Sequence, residues 1–177
     1  MRTWILLLRG INVGGANKVK MADLRAALTD AGFDAVASYI QSGNLVAGSN
    51  LDRAAVCNKV AAVIEAEFGF RPACLALTRR ELENAMARNP FADEDDPKTV
   101  HLWFADGEPA SAASNALTAL AADSERWHLN AQVLYLHAPE GIARSKFAAA
   151  AERKLGVAAT ARNLRTVRQL LSMAESA

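Results

Sequence analysis

The spacing of apolar positions changes along the chain, and each change marks an element. Thr3 to Leu8 is apolar on both faces, with Trp4, Leu6 and Leu8 pointing one way and Ile5 and Leu7 the other. Such a run reads as a strand buried on both sides. From Met21 to Ala31 the period lengthens. Leu24, Ala27, Leu28 and Ala31 recur at helical spacing, and Gly32 follows as a stop. Ala35 to Gln41 and Leu45 to Ala47 flank Ser42-Gly43 and predict a hairpin with a tight turn. Asn50 is a candidate cap for a helix to about Phe68, with Val56, Val60, Val63 and Ile64 inward and Gly69 ending it. Ala73 to Leu77 is a strand. Thr78-Arg79-Arg80-Glu81 then has the form of a capping box and opens a short helix that ends before Asn89-Pro90.

The pattern then starts again. Thr99 to Ala105 reads as a strand, and Pro109 suits the first turn of a helix to about Ala122. Arg126 to Leu129 and Gln132 to His137 form a hairpin around Asn130-Ala131. Ile142 to Leu155 is a helix stopped by Gly156, and Ala158 to Ala161 is a short strand. Asn163 caps a last helix with Leu164, Val167, Leu171 and Ala174 inward and Arg165 and Arg168 outward. Both halves therefore run strand, helix, hairpin, helix, strand, helix, without visible residue identity between them. Each βαββαβ core predicts a ferredoxin-like sandwich, so the expected fold is α+β with that unit duplicated in two packed halves. Residues 1–90 form the first half, 91–98 an acidic linker and 99–177 the second half with its C-terminal helix. The first connection is expected to take about twelve residues in the first half and about three in the second, and long loops are often functional.

That long connection holds Arg9, Gly10, Asn12, Gly14, Gly15, Asn17, Lys18 and Lys20. Glycines allow positive φ and close backbone approach to a ligand, and loop N–H groups beside lysines can form an anion-binding concavity. The plain alternative is a solvated strand-to-helix loop. The same stretch carries a resemblance. Leu8-Arg9-Gly10-Ile11-Asn12-Val13-Gly14-Gly15 resembles the opening motif of a bacterial family known only as domain of unknown function 1697. Tyr39-Ile40-Gln41-Ser42-Gly43-Asn44 resembles its second motif, Arg144-Ser145-Lys146 its third and Thr160-Ala161-Arg162-Asn163 its fourth. The four run in the family order and span nearly the whole chain. The resemblance implies an α+β fold that duplicates a ferredoxin-like unit, and it implies no activity.

Composition narrows the function classes. The chain has 177 residues, 51% hydrophobic and 22% charged, with a formal net charge of +1. That is an ordinary soluble balance and excludes strong overall attraction to nucleic acid or membrane, although a local basic patch remains compatible with it. Cys57 and Cys74 are the two cysteines, without C-x-x-C spacing, and read as reduced core residues of a cytoplasmic protein. The apolar run after Met1 is five residues long before Arg9, shorter than a signal peptide core. No stretch approaches the ~20 residues of a membrane span.

The chemistry is that of donors. In a ferredoxin-like strand order, 4-1-3-2, the end of the first strand meets the tip of the first hairpin. Arg9, Gly10 and Asn12 then approach Gln41, Ser42 and Asn44. In the second half, the end of the hairpin and the end of the last strand share the opposite edge, where Arg144, Ser145 and Lys146 approach Arg162 and Asn163. The glycine loop is not a P-loop, because Ala16 and Asn17 stand where Lys and Ser/Thr belong. Asp23 in the following helical turn opposes an anion there. His101, His128 and His137 sit singly on strands, and Asp93 to Asp96 lack the glycine and distal glutamate of a calcium loop, so no metal and no cofactor is expected. Ser145-Lys146 has the composition of a nucleophile pair, but helix neighbours point apart, and Lys146 reads as an anion contact. Ser42 reads as a turn residue, and Tyr39 and Trp103 as core aromatics. The candidate ligand-binding set is Arg9, Gly10, Asn12, Gly14, Gly15, Asn17, Lys18, Gln41, Ser42, Asn44, Ser145, Lys146, Arg162 and Asn163, with no catalytic residue identified. It contains no carboxylate to act as a base. Binding of an anionic small molecule or nucleotide is therefore the first reading. A nucleic-acid-binding module and an enzyme acting on a phosphorylated or carboxylated substrate are the alternatives.

Overall fold

A computed structural model describes residues 1–176. The first seven elements are β1 (Arg2–Leu8), α1 (Met21–Asp30), β2 (Asp34–Tyr39), β3 (Asn44–Ser49), α2 (Arg53–Phe68), β4 (Cys74–Thr78) and α3 (Arg79–Ala87). The next seven are β5 (Val100–Ala105), α4 (Ala113–Thr118), β6 (Arg126–Asn130), β7 (Val133–His137), α5 (Lys146–Leu155), β8 (Ala159–Asn163) and α6 (Leu164–Glu175). Two four-stranded sheets result, ordered β2-β3-β1-β4 and β6-β7-β5-β8, with every pairing antiparallel. The ferredoxin-like order thus occurs twice. The chain divides into two compact units, Met1–Glu83 together with the residues from Arg168 on, and Asn84–Val167.

In the first unit β1 is the central strand. Its register sets Leu6 opposite Leu45 on one side and Ala76 on the other. Trp4, Leu6 and Leu8 join Leu24, Leu28, Val56, Val60 and Ile64 in the apolar layer beneath α1 and α2. Ile5 and Leu7, on the opposite face, are buried as well, as the uninterrupted apolar run requires. β5 occupies the same place in the second unit. Trp103 and Ala105 meet Leu117, Phe147, Ala151 and Leu155 from α4 and α5, and Val100, Leu102 and Phe104 are buried on the other face.

Helix ends follow local chemistry. α2 is capped by Asp52, whose carboxylate accepts the Ala55 N–H at 2.8 Å, rather than by Asn50, and Gly69 closes it in a left-handed conformation. Thr78 and Glu81 form the capping box. The Thr78 N–H donates to Glu81 Oε2 at 2.8 Å, and the Glu81 N–H donates back to Thr78 Oγ1 at 3.3 Å. Arg53 adds two bonds to the same carboxylate, at 2.7 and 2.8 Å. Burial alone would raise the Glu81 carboxyl, but these donors outweigh it and hold the group below the usual carboxylate range.

Three expectations shift. The helix predicted from Pro109 to Ala122 contracts to Ala113–Thr118, because the Ala110 N–H donates to Leu155 O at 2.8 Å and pins the preceding segment to the end of α5. The connection from β5 is accordingly longer than three residues. The helix predicted from Ile142 begins at Lys146, because Ser145 accepts the Ala148 N–H at 2.9 Å and caps it there. The inward position near the end of α6 is Leu170 rather than Leu171. Residues 91–98 contain no strand or helix and lie within the second unit. There Phe91 is buried beside the His137 ring, and Glu94 pairs with Arg126, which also bonds His137 Nδ1 at 2.8 Å. Tyr135 is buried too. Burial pushes its hydroxyl up to about 12, and that hydroxyl donates to Ala85 O at 2.9 Å.

Two outcomes follow from these contacts. Thr78→Ala removes the hydroxyl of the capping box, and urea unfolding should show a loss of about 1 kcal/mol. His101 lies buried beside Trp103, and burial lowers its imidazole below the ordinary 6.5. The unfolded chain therefore binds this proton more readily than the folded one. Stability should fall as pH drops through about 6.5 and continue falling down to the depressed folded value. The variant His101→Leu should lose that component when melting temperature is followed from pH 7.5 to 5.5.

Candidate functional site

The loop between β1 and α1 is tied down by its own asparagines. Val13 and Ala16 bridge across Gly14-Gly15, which have φ of 59° and 82°. Positive φ at both central positions is the signature of the type I′ turn, which suits a tight two-residue reversal. Beneath it the Asn12 N–H donates to Asn17 O at 3.1 Å, and Asn17 Nδ2 donates to Gly10 O at 3.0 Å. Asn12 and Asn17 both have left-handed backbones, which asparagine tolerates better than most residues.

Asn12 is the centre of the arrangement. Its Oδ1 accepts the Val19 N–H at 2.8 Å, and its Nδ2 donates to Val19 O at 2.9 Å. The same Nδ2 donates to Gln41 O at 2.8 Å on the tip of the β2–β3 hairpin. An amide group has two N–H donors, and here both are taken by backbone carbonyls. The hairpin tip is locked from below as well. The Leu8 N–H donates to Gly43 O at 2.8 Å, and a Cβ on Gly43 would stand 2.8 Å from that of Leu8. Asn44 is 0% exposed, and its Nδ2 donates to Ser42 Oγ at 2.9 Å and Tyr39 O at 3.2 Å.

Of the expected meeting of the two tips, the Asn12 amide on Gln41 O is a side-chain link, and there is a division of labour. Asn12 joins the tips, Asn17 ties the loop to itself and Asn44 ties the hairpin to itself; Asn44, being buried, does not present a pocket wall. Gly14, Gly15, Lys18, Gln41 and Ser42 are exposed around them, and Arg9 is half-buried with its N–H on Ala73 O at 3.0 Å. Val13 and Ile40 are 64% and 54% exposed on the same two tips, and neither was singled out from sequence. Ile40 has φ of 49°, an uncommon conformation for a β-branched residue.

The second unit contains a groove of about 640 Å³. One wall is the segment after α4, Ala119 to Ala122 with Ser124 and Glu125. The other is the approach to α5: Ala138, Glu140, Gly141 and Ala143 to Lys146. Arg144 and Lys146 are exposed on its rim. Ser145 spends its oxygen on the helix cap. The N–H groups of the first helical turn, at Lys146 and Phe147, have no acceptor within the helix, and the positive end of its dipole points outward with them. Glu125 Oε2 accepts the Ala122 N–H at 2.9 Å, so this carboxylate is committed to the opposite wall. The α4 side of the groove was missed in the sequence, where the alanines there read as helix.

Arg162 and Asn163 sit at the end of β8, on the same sheet end as His137, but they do not line the groove. Arg162 donates to Thr160 Oγ1 at 2.9 Å and Ala161 O at 2.8 Å, and burial lowers its guanidinium to about 10. Asn163 Oδ1 accepts the Thr166 N–H at 2.9 Å and caps α6. Topology thus brings the third and fourth motifs to one sheet end without building one groove from them. Among the described residues no cluster of three or more His, Cys, Asp or Glu could hold a metal ion, and no helix is long and apolar enough to cross a membrane.

The conserved bacterial protein SP0830 from Streptococcus pneumoniae is 24% identical and superposes with a TM-score of 0.74, over 98% of this chain and 98% of that one. The likeness shows the fold. No curated protein matches the sequence. The family described as protein of unknown function (DUF1697) matches residues 1–135, about three quarters of the chain and all of the loop–hairpin junction. The chain belongs to the DUF1697 family.

Proposed function

We propose that the protein binds a small anionic molecule, and that the groove of the second unit is where the anionic group sits. The observation that carries this reading is the concavity itself, lined by Arg144 and Lys146 at the positive end of α5. Cations and unshared N–H groups converge there on a space large enough for a nucleotide-sized ligand. α5 also carries Arg153 and Lys154 in its last turn, where they offset the negative end of the dipole. Of the two serines in the lining, Ser145 spends its oxygen on the helix cap, and of the two carboxylates, Glu125 accepts the Ala122 N–H. The exposed part of the first-unit loop, Gly14, Gly15 and Lys18 with Gln41 and Ser42, is a second place where an anion meets backbone N–H groups and a cation.

A thermal-shift panel of nucleotides, phosphorylated sugars and dicarboxylates tests the reading, since a ligand at 100 times its Kd adds ~2.7 kcal/mol of stability. Loss of a charged hydrogen-bond partner costs ~1.5–3 kcal/mol, so Arg144→Ala or Lys146→Ala should each weaken binding by roughly ten- to a hundred-fold. Asn12→Ala should instead lower the melting temperature and leave affinity unchanged, because its three bonds go to the protein's own backbone. Affinity that survives both groove substitutions would reject the groove. Binding of long oligonucleotides with a steep salt dependence would support the nucleic-acid alternative.

A further inference from the structure

The cysteines are far apart in sequence and close in register. β1 is antiparallel to both β3 and β4, so β3 and β4 are parallel. α2 returns from the end of β3 to the start of β4 and packs on β4, and therefore runs antiparallel to it. One contact joins the start of α2 to β4: Arg53 Nη1 donates to Ala76 O. From Arg53, one helical turn of ~6 Å leads to Cys57 on the same helix face. From Ala76, two residues back along β4 is ~7 Å and leads to Cys74 on the same strand face. The two steps run the same way and have nearly the same length, which puts Cys57 and Cys74 on facing stretches of the two packed elements. Both are thiols, both are half-buried, and both pack against the same apolar cluster.

We propose that Cys57 and Cys74 form a reversible, peroxide-responsive disulfide that fastens α2 to the edge strand β4. One thiolate attacks a peroxide oxygen and the O–O bond breaks. The sulfur becomes a sulfenic acid, and the leaving oxygen takes a proton to depart as water. The second thiolate then attacks that sulfur, the S–O bond breaks, and a second water leaves as the S–S bond forms. Two thiols are oxidised and one hydrogen peroxide is reduced to two waters. Half-burial leaves the sulfurs within reach of a small oxidant. The location links the pair to the loop, because Cys74 is the cross-strand partner of Leu8 and Ala73 O accepts the Arg9 N–H.

The test uses the full-length reduced protein exposed to an equimolar amount of hydrogen peroxide. Free thiols are then blocked and the protein is digested with trypsin, which separates the cysteines at Lys59. The expected product is a monomer lighter by two hydrogens, with the two cysteine peptides joined and released by dithiothreitol. Cys57→Ser and Cys74→Ser, each checked for an unchanged circular dichroism spectrum, should instead stop at a sulfenic acid that dimedone traps. Wild-type protein that gives only sulfinic or sulfonic acid, or only links between molecules, overturns the proposal. So does wild-type protein that keeps both thiols blockable after the peroxide treatment.

Discussion

Burial of β1 on both faces is the constraint on which the first unit depends. A strand with no solvent-facing side cannot turn polar groups outward along its length, so any chemistry must begin where it ends. Leu8 is the last buried residue, and the next twelve residues have to leave the sheet, reverse and reach α1. Backbone groups in such a detour need partners. Asn12 and Asn17 supply them from within the loop, and the hairpin tip supplies the rest through Gln41 O and Gly43 O. The polar residues of this region are arranged first by that need for partners.

The same reasoning separates the two ends of the molecule's polar inventory. In the first unit the asparagine amides bond the protein's own loop and hairpin. In the second, Ser145 caps α5 and leaves the neighbouring cations and the rest of the first turn pointing into an open groove. A donor committed to its own backbone builds shape, whereas one left at a helix terminus can meet a ligand. Counting Asn, Arg and Lys treats the two alike; geometry does not.

Much of the fold was legible in particular residues. The two-faced apolar run from Trp4 to Leu8 predicted a central strand, Gly69 and Gly156 marked helix ends, and Thr78 with Glu81 announced a cap that forms as read. The strand order also brought the right segments together at the first hairpin. What sequence could not supply was the direction of side chains and the reach of contacts between distant residues. Asn44 and Gln41 look equivalent in the motif, yet one is fully buried and the other contributes its carbonyl. The segment after Pro109 has helical composition, and only its bond to Leu155 O, far along the chain, keeps it out of α4. Arg162 and Ser145 lie at one sheet end in topology, and only coordinates show that just one of them reaches the groove.

The turn at Gly14-Gly15 has one more consequence. No atom lies within 4 Å of where a Cβ would stand on either glycine, so room is not what these positions lack. The obstacle to a side chain is its handedness: φ of 59° and 82° suit the mirror-image residue. A D-alanine at either position suits that φ and keeps the tip's shape, whereas an L-alanine, for all the room its methyl has, works against it. At Gly43 the φ of 73° raises the same obstacle, and Leu8 also stands where the side chain would go. The loop tip is thus constrained by chirality, and the hairpin tip by chirality and space together.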